Sequence, residues 1–268
     1  MRVFINLLWT DFRRAFGGIR FWALTAGTAV LLFCNTMNDA LYQGHFEAPV
    51  SLVSAVSSSR AQLFTQLMLI LAALAYALSF CEDWKNRNIR NIVVRSNPTK
   101  YAVSKLVTCA VSAFAVLFLG NILFVCLQSF FVPSIYGNGS LEEFQKMGAF
   151  FKPLAQGRFA EWVTLQAARF ALEGAVFASV SLAVSTVMTN SLVVLTFPVF
   201  AYSFVDLIAQ YSNIPYELDM RILYERDSLC IGQSIPAHML WTVALTVLLC
   251  AIFGYLFLRG VRRKFENG

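Results

Sequence analysis

The sequence is poor in charge. Asp, Glu, Lys and Arg make up 13% of its 268 residues, against ~25% in soluble domains. That scarcity, with 58% hydrophobic residues and a mean hydropathy of +0.62, excludes a disordered chain, a coiled coil and an ordinary water-soluble enzyme. Histidine is scarcer still. His45 and His238 both lie near the ends of apolar stretches and read as interfacial polar residues. The cysteines show no C-x-x-C and no metal-ligand spacing, which excludes a zinc scaffold. Cys34, Cys109, Cys126 and Cys250 fall in apolar stretches, Cys81 at the end of one and Cys230 in a loop, so all six are expected as free thiols. Also missing are G-x-x-x-x-G-K-[ST], G-x-G-x-x-G, H-E-x-x-H and G-x-S-x-G. The chain therefore carries no phosphate-cradling loop, zinc-protease helix or nucleophile elbow. No internal repeat or low-complexity segment is present, which argues against an inverted-repeat, ion-coupled transporter.

What the chain does have is apolar runs of membrane-spanning length. A span needs ~20 mainly apolar residues, and six stretches qualify: 21–37, 61–81, 103–132, 161–188, 192–210 and 238–258. The expected fold is an all-α integral membrane protein, a single transmembrane domain over 1–268. Basic residues then set its orientation. Arg2, Arg13, Arg14, Arg20, Lys85, Arg87, Arg90, Arg95, Lys100, Lys105, Arg259, Arg262, Arg263 and Lys264 fall on one side, fourteen of the 21. Six fall on the other side, and Arg169 sits inside a span. The positive-inside rule puts that basic side, and both termini, in the cytoplasm. The net charge of +6 is thus a topology signal and no pointer to nucleic acid.

Before the first span, Phe4, Ile5, Leu8, Trp9, Phe12 and Phe16 share one arc of a helix, with Asn6, Thr10, Arg13 and Arg14 opposite. This pattern predicts an interfacial amphipathic helix over 1–18, bending at Gly17-Gly18. Asn6, Thr10 and Asp11 interrupt the apolar run, and no A-x-A site follows, so a signal peptide is not expected.

Three charges are expected within the membrane: Arg169 and Glu173, one turn apart in the fourth span, and Asp206, late in the fifth after Pro198. An unpaired charge at such depth costs ~2.5–3.5 kcal/mol, so Arg169 and Glu173 read first as a structural ion pair. Pro198 is expected to kink its helix. Ala167, Ala171, Gly174, Ala178, Ser181 and Ser185 form a small-residue stripe on the opposite face of span four. Such a stripe lets a neighbouring helix approach closely, so span four should be buried on both sides. These acids are too few for an intramembrane enzyme. In the external segment 211–235, Leu218, Ile222, Leu223 and Leu229 line one side, and Arg221 is spaced to pair with Glu217 or Glu225.

The loop after the second span runs Phe80-Cys81-Glu82-Asp83-Trp84-Lys85-Asn86-Arg87-Asn88-Ile89-Arg90-Asn91-Ile92-Val93-Val94-Arg95-Ser96-Asn97-Pro98-Thr99-Lys100 and reaches Lys105. A short helix is predicted from about Glu82 to before Asn97, since Pro98 disfavours helical geometry at the residue before it. Its basic residues also suit anionic membrane lipids.

This loop, with the topology around it, resembles the permease subunits of type-2, exporter-class ABC transporters. In that class a span ends in an acidic pair, followed by a short cytoplasmic helix, a small-residue–Pro–basic turn and a Lys opening the next span. Here the matching pieces are Phe80, Glu82-Asp83, Ile89 to Val94, Arg95 to Lys100, and Lys105. Where many members carry Gly-Thr, this chain has Arg87-Asn88. The resemblance implies an exporter subunit of the plasma (inner) membrane, dimerised with itself or a similar chain, moving a peptide, antibiotic, lipid or glycan. Glu82, Asp83, Trp84, Arg87 and Arg90 would contact a separate ATPase subunit. That partner would bind and hydrolyse ATP, so this chain is not expected to be an enzyme or to hold a cofactor or metal. The resemblance also implies an outer gate in the segment between the last two spans. The competing reading is a membrane sensor, scaffold or immunity protein without transport.

Overall fold

The computed structural model describes residues 2–43, 51–59, 62–86, 97–132, 134–136, 149–212, 214–215, 217–224 and 234–266. Among them the chain forms helices and no strand: α1 Arg2–Phe16, α2 Ile19–Gln43, α3 Leu52–Ser58, α4 Gln62–Tyr76, α5 Ser79–Lys85, α6 Pro98–Gln128, α7 Lys152–Ala155, α8 Phe159–Ser185, α9 Ser191–Tyr211, α10 Met220–Tyr224 and α11 Ile235–Glu266. Five of these, α2, α6, α8, α9 and α11, are long and apolar enough to cross a membrane. The expected second span is not one rod. It breaks after Tyr76 into Thr65–Tyr76 and Ser79–Lys85, bent by 45°, and counts as a sixth span only if the two pieces are taken together.

Three local expectations change. No separate helix begins at Glu82: Glu82 and Asp83 lie inside α5, which starts at Ser79. Residues 87–96, with Arg87 and Arg90, lie outside the described residues. The next helix among the described residues begins at Pro98, five residues before the apolar run: Asn97 (φ 75°) caps it by accepting a hydrogen bond from the Thr99 N–H, and Pro98 takes the first turn, where its missing N–H costs nothing. A helix, α3 Leu52–Ser58, also occupies part of the stretch between the first two expected spans. Ser51 and Ser54 bond each other's backbone N–H in a capping box, and Val53 and Val56 join the core.

α6 and α8 form the centre. α6 packs on α1, α2, α4, α8 and α11, and α8 packs on α4, α6, α9 and α11. α8 is 83% buried along its apolar window, whereas α9 and α11 are 22% buried and lie at the periphery. The small-residue stripe explains the difference. Ala167, Ala171, Ala178, Ser181 and Ser185 are all buried, and a Cβ on Gly174 would meet Leu117 of α6 at 2.2 Å, so span four is enclosed as expected. α9 and α11 turn Phe200, Phe204, Leu240 and Val247 outward. A water-soluble monomer would not expose apolar surface on this scale. Hydroxyls in the spans are satisfied locally, with Thr25, Thr28, Ser179, Thr242 and Thr246 each donating to the carbonyl four residues back. α9 remains helical through Pro198.

α2 and α6 touch at Gly120, where an added Cβ would lie 2.6 Å from Thr28 Cβ and 3.2 Å from the Thr25 carbonyl. Both threonines are buried, so neither can yield. Gly120→Ala is expected to cost about 1–3 kcal/mol by overpacking, read as a lower melting midpoint. Gly27→Ala on α2, with nothing within 4 Å of its Cβ, should be neutral or slightly stabilising, since alanine is the better helix former. Equal behaviour of the two variants would contradict the close approach.

Candidate functional site

α1 lies across the start of α6. Two apolar side chains of its predicted arc, Ile5 and Trp9, are exposed, at 56% and 72%, as an interfacial helix requires. The face turned inward instead carries Asp11 and Ala15. Asp11, which in the sequence only interrupts an apolar run, is 3% exposed and stands at the heart of a buried polar cluster.

Lys105, at the start of α6, is 1% exposed. Its Nζ lies 2.9 Å from Asp11 Oδ1 and 2.9 Å from Asp83 Oδ2, and donates to the Tyr76 hydroxyl at 3.0 Å. Tyr76 donates to Asp11 at 2.6 Å, Ser104 donates to its other oxygen at 2.6 Å, and Tyr101 donates to Asp83 at 3.0 Å. The ammonium also faces the rings of Tyr76 and Tyr101, at 5.0 and 5.5 Å. Two carboxylates against one lysine would leave a buried negative charge. Arg14, half-exposed at the rim, completes the balance by donating to Asp83 Oδ1 at 3.1 Å. Burial pulls the Arg14 guanidinium down, but the neighbouring Asp83 carboxylate more than offsets it and the net shift is upward. Lys105, expected as a loop cation marking topology, is instead the centre of this interior site.

The acidic pair of α5 therefore divides. Asp83 faces the interior and is engaged by Lys105, Arg14 and Tyr101. Glu82 faces the surface and pairs with Arg20 at 3.3 Å and Arg14 at 3.8 Å. Trp84 is partly buried, stacked on Phe80, with Lys264 Nζ of α11 4.7 Å above its ring. Lys85 donates to Ser191 of α9 at 3.2 Å. A helix of seven residues thus holds side chains of α1, α2, α6, α9 and α11.

Near the other ends of these helices, Arg169 of α8 is completely buried. Its guanidinium donates to the carbonyls of Ile222 and Leu223, both at 3.1 Å, and lies 4.1 Å over the Phe150 ring. These carbonyls belong to the five-residue α10, whose final C=O groups have no partner within the helix. Arg169 acts as their cap. His238, expected at an interface, is also fully buried, edge-on to Phe150, with Nε2 3.4 Å from the Leu223 carbonyl. Glu173, one turn along α8, is 2% exposed. With Asp206 and Arg221 it lines a space of about 10 Å³ between α8, α9 and α10, room for roughly one water. Asp206 accepts from Gln210 at 2.8 Å.

Asp219 caps α10 by accepting from the Arg221 N–H, and Arg221 pairs back to it at 3.1 Å and donates to the Ala209 carbonyl. Ile222 and Leu223 are buried as the amphipathic pattern requires, while Leu218 is 51% exposed. Leu229, Glu225, Cys230 and His45 lie outside the described residues. Among the described residues Cys34, Cys81, Cys109, Cys126 and Cys250 are free thiols, and no three His, Cys, Asp or Glu side chains gather to hold a metal.

Sequence reasoning missed Asp11, Tyr76, Tyr101 and Ser104. The available signal was a lone acid on an amphipathic helix, with a lysine that opens an apolar span and has nowhere polar to go. Comparison with protein-family models, curated proteins and solved structures finds no match for this chain.

Proposed function

We propose that this chain is the permease subunit of an ATP-driven exporter of the type-2 ABC class. It crosses the plasma (inner) membrane six times, counting the bent pair as one span, and keeps both termini in the cytoplasm. It works as a homodimer or beside a similar chain, over separate ATPase subunits, and moves a peptide, antibiotic, lipid or glycan outward. The observation that carries this reading is α5. It leads into residues 87–96, the segment that resembles a coupling helix, and its side chains engage α1, α2, α6, α9 and α11. A displacement applied at 87–96 would therefore reach both the interfacial helix and the spans. Asp83 would serve this linkage from the inside, and Glu82, Trp84, Arg87 and Arg90 would meet the ATPase.

Arg87→Glu with Arg90→Glu tests the contact while leaving Asp11, Asp83 and Lys105 unchanged. Like charges set against each other across an interface cost several kcal/mol. Capture of an ATPase encoded by a neighbouring gene should fall at least about tenfold, with the abundance of this chain unchanged. Undiminished capture and undiminished substrate-stimulated ATP hydrolysis in lipid would remove the permease reading and leave the sensor or scaffold.

A further inference from the structure

A groove of about 740 Å³ opens between the last turns of α8, the first turns of α9 and the last turns of α11, within the ~300–1,000 Å³ range of small-molecule clefts. None of its lining residues belongs to the charge cluster. Its apolar lining includes Ala183 and Val184 of α8, Phe197 of α9, and Phe253 and Leu256 of α11. At one end α11 closes onto α8: a Cβ on Gly260 would lie 2.1 Å from Thr186 Oγ1. The polar lining is concentrated beside this end, where Arg259, Arg262 and Arg263 stand with one acid, Glu266. Arg262 is committed in part to Thr99 Oγ1 at 3.0 Å. Arg259 and Arg263 are exposed and stand one helical turn apart, like charges that repel unless an anion sits between them.

A soluble anion would leave the apolar lining unused, and a neutral apolar guest would leave the arginines unused. A membrane lipid with an acidic headgroup uses both, because arginine forks match phosphate oxygens. Basic pockets between membrane helices hold such headgroups in this way. We propose that this groove is a binding site for an acidic glycerophospholipid. Its phosphate bridges Arg259 and Arg263, and one acyl chain lies along α8 between Phe197 and Leu256. The inference needs only that these helices cross a membrane, and it stands apart from the permease reading.

The test is native mass spectrometry of the detergent-purified full chain, titrated with phosphatidylglycerol, phosphatidylcholine or glycerol 3-phosphate. Phosphatidylglycerol should persist at about one per chain under activation that strips phosphatidylcholine. Arg259→Gln with Arg263→Gln should lower its retention about tenfold or more. Arg13→Gln with Lys100→Gln, which removes equal charge from exposed positions elsewhere at the same end, should not. Val184→Trp fills the groove without changing any charge and should also release the lipid, with an unchanged size-exclusion profile. Equal loss from both arginine/lysine pairs would reduce the effect to bulk surface charge and overturn the proposal. So would equal retention of the two lipids, displacement by glycerol 3-phosphate, full retention in Val184→Trp, or lipid lost only as a second copy of the chain binds.

Discussion

Lys105→Met is expected to strip most of the folded protein from the membrane. The substitution keeps the length of the side chain and removes its charge, leaving Asp11 and Asp83, both under 5% exposed, against Arg14 alone. Removing one partner of a buried ion pair costs about 3–5 kcal/mol, a large share of the ~5–15 kcal/mol that holds a typical domain together. Abundance in membranes and the midpoint of thermal unfolding, followed by size exclusion, would read the effect. Asp11→Asn should be damaging by itself yet partly repair Lys105→Met, because the pair then loses one buried charge of each sign. A coupling of ~0.5–3 kcal/mol is the range for groups in direct contact. A Lys105→Met chain as abundant and as heat-stable as its parent would show that the cluster does not hold α1 and α5 to α6.

Arg169→Met is expected to rank beside it. The guanidinium donates to two carbonyls at 3.1 Å and covers Phe150 at 4.1 Å. Each stranded buried acceptor costs about 1–3 kcal/mol, and loss of the cap releases α10 from α8. Arg169→Lys retains a charge but cannot span both carbonyls with a planar fork, so it should recover only part of the loss. If the chain is the exporter subunit proposed above, abundance and transport separate the roles. Lost abundance makes Arg169 a structural cap. Normal abundance with lost transport would move it into the mechanism and remove the capping account.

Much of the fold was legible because apolar runs of spanning length have few other uses. The buried face of α8 could be read from its small residues, and Gly17-Gly18 marked the turn between α1 and α2, where the Gly17 N–H bonds the Arg13 carbonyl at 2.9 Å. The broken second span was not legible. Ala77 and Leu78 are ordinary apolar residues, and the contact across the bend, Asp83 to Lys105, joins a residue beyond it to another helix. The charge cluster was half legible. Asp83 and Lys105 stood out by their positions, but a sequence shows only spacing along one helix. It does not show that Asp11, 94 residues away, closes the set. Likewise Arg169 stood out as a charge inside an apolar run, whereas its carbonyl partners on α10 belong to a segment that reads as surface loop.

The 45° bend has a mechanical meaning once the cluster is set beside it. Tyr76 ends α4, Asp83 lies in α5, and both rest on the same Lys105 nitrogen. That shared nitrogen makes the two helices the arms of a bell crank with its angle locked. A push on α5 cannot be absorbed by straightening at Ala77-Leu78 without separating Tyr76 from Asp83 and so pulling the lysine off one of them. Short of that rupture α4 and α5 turn together, and a thrust on α5 reaches α4 as a tilt.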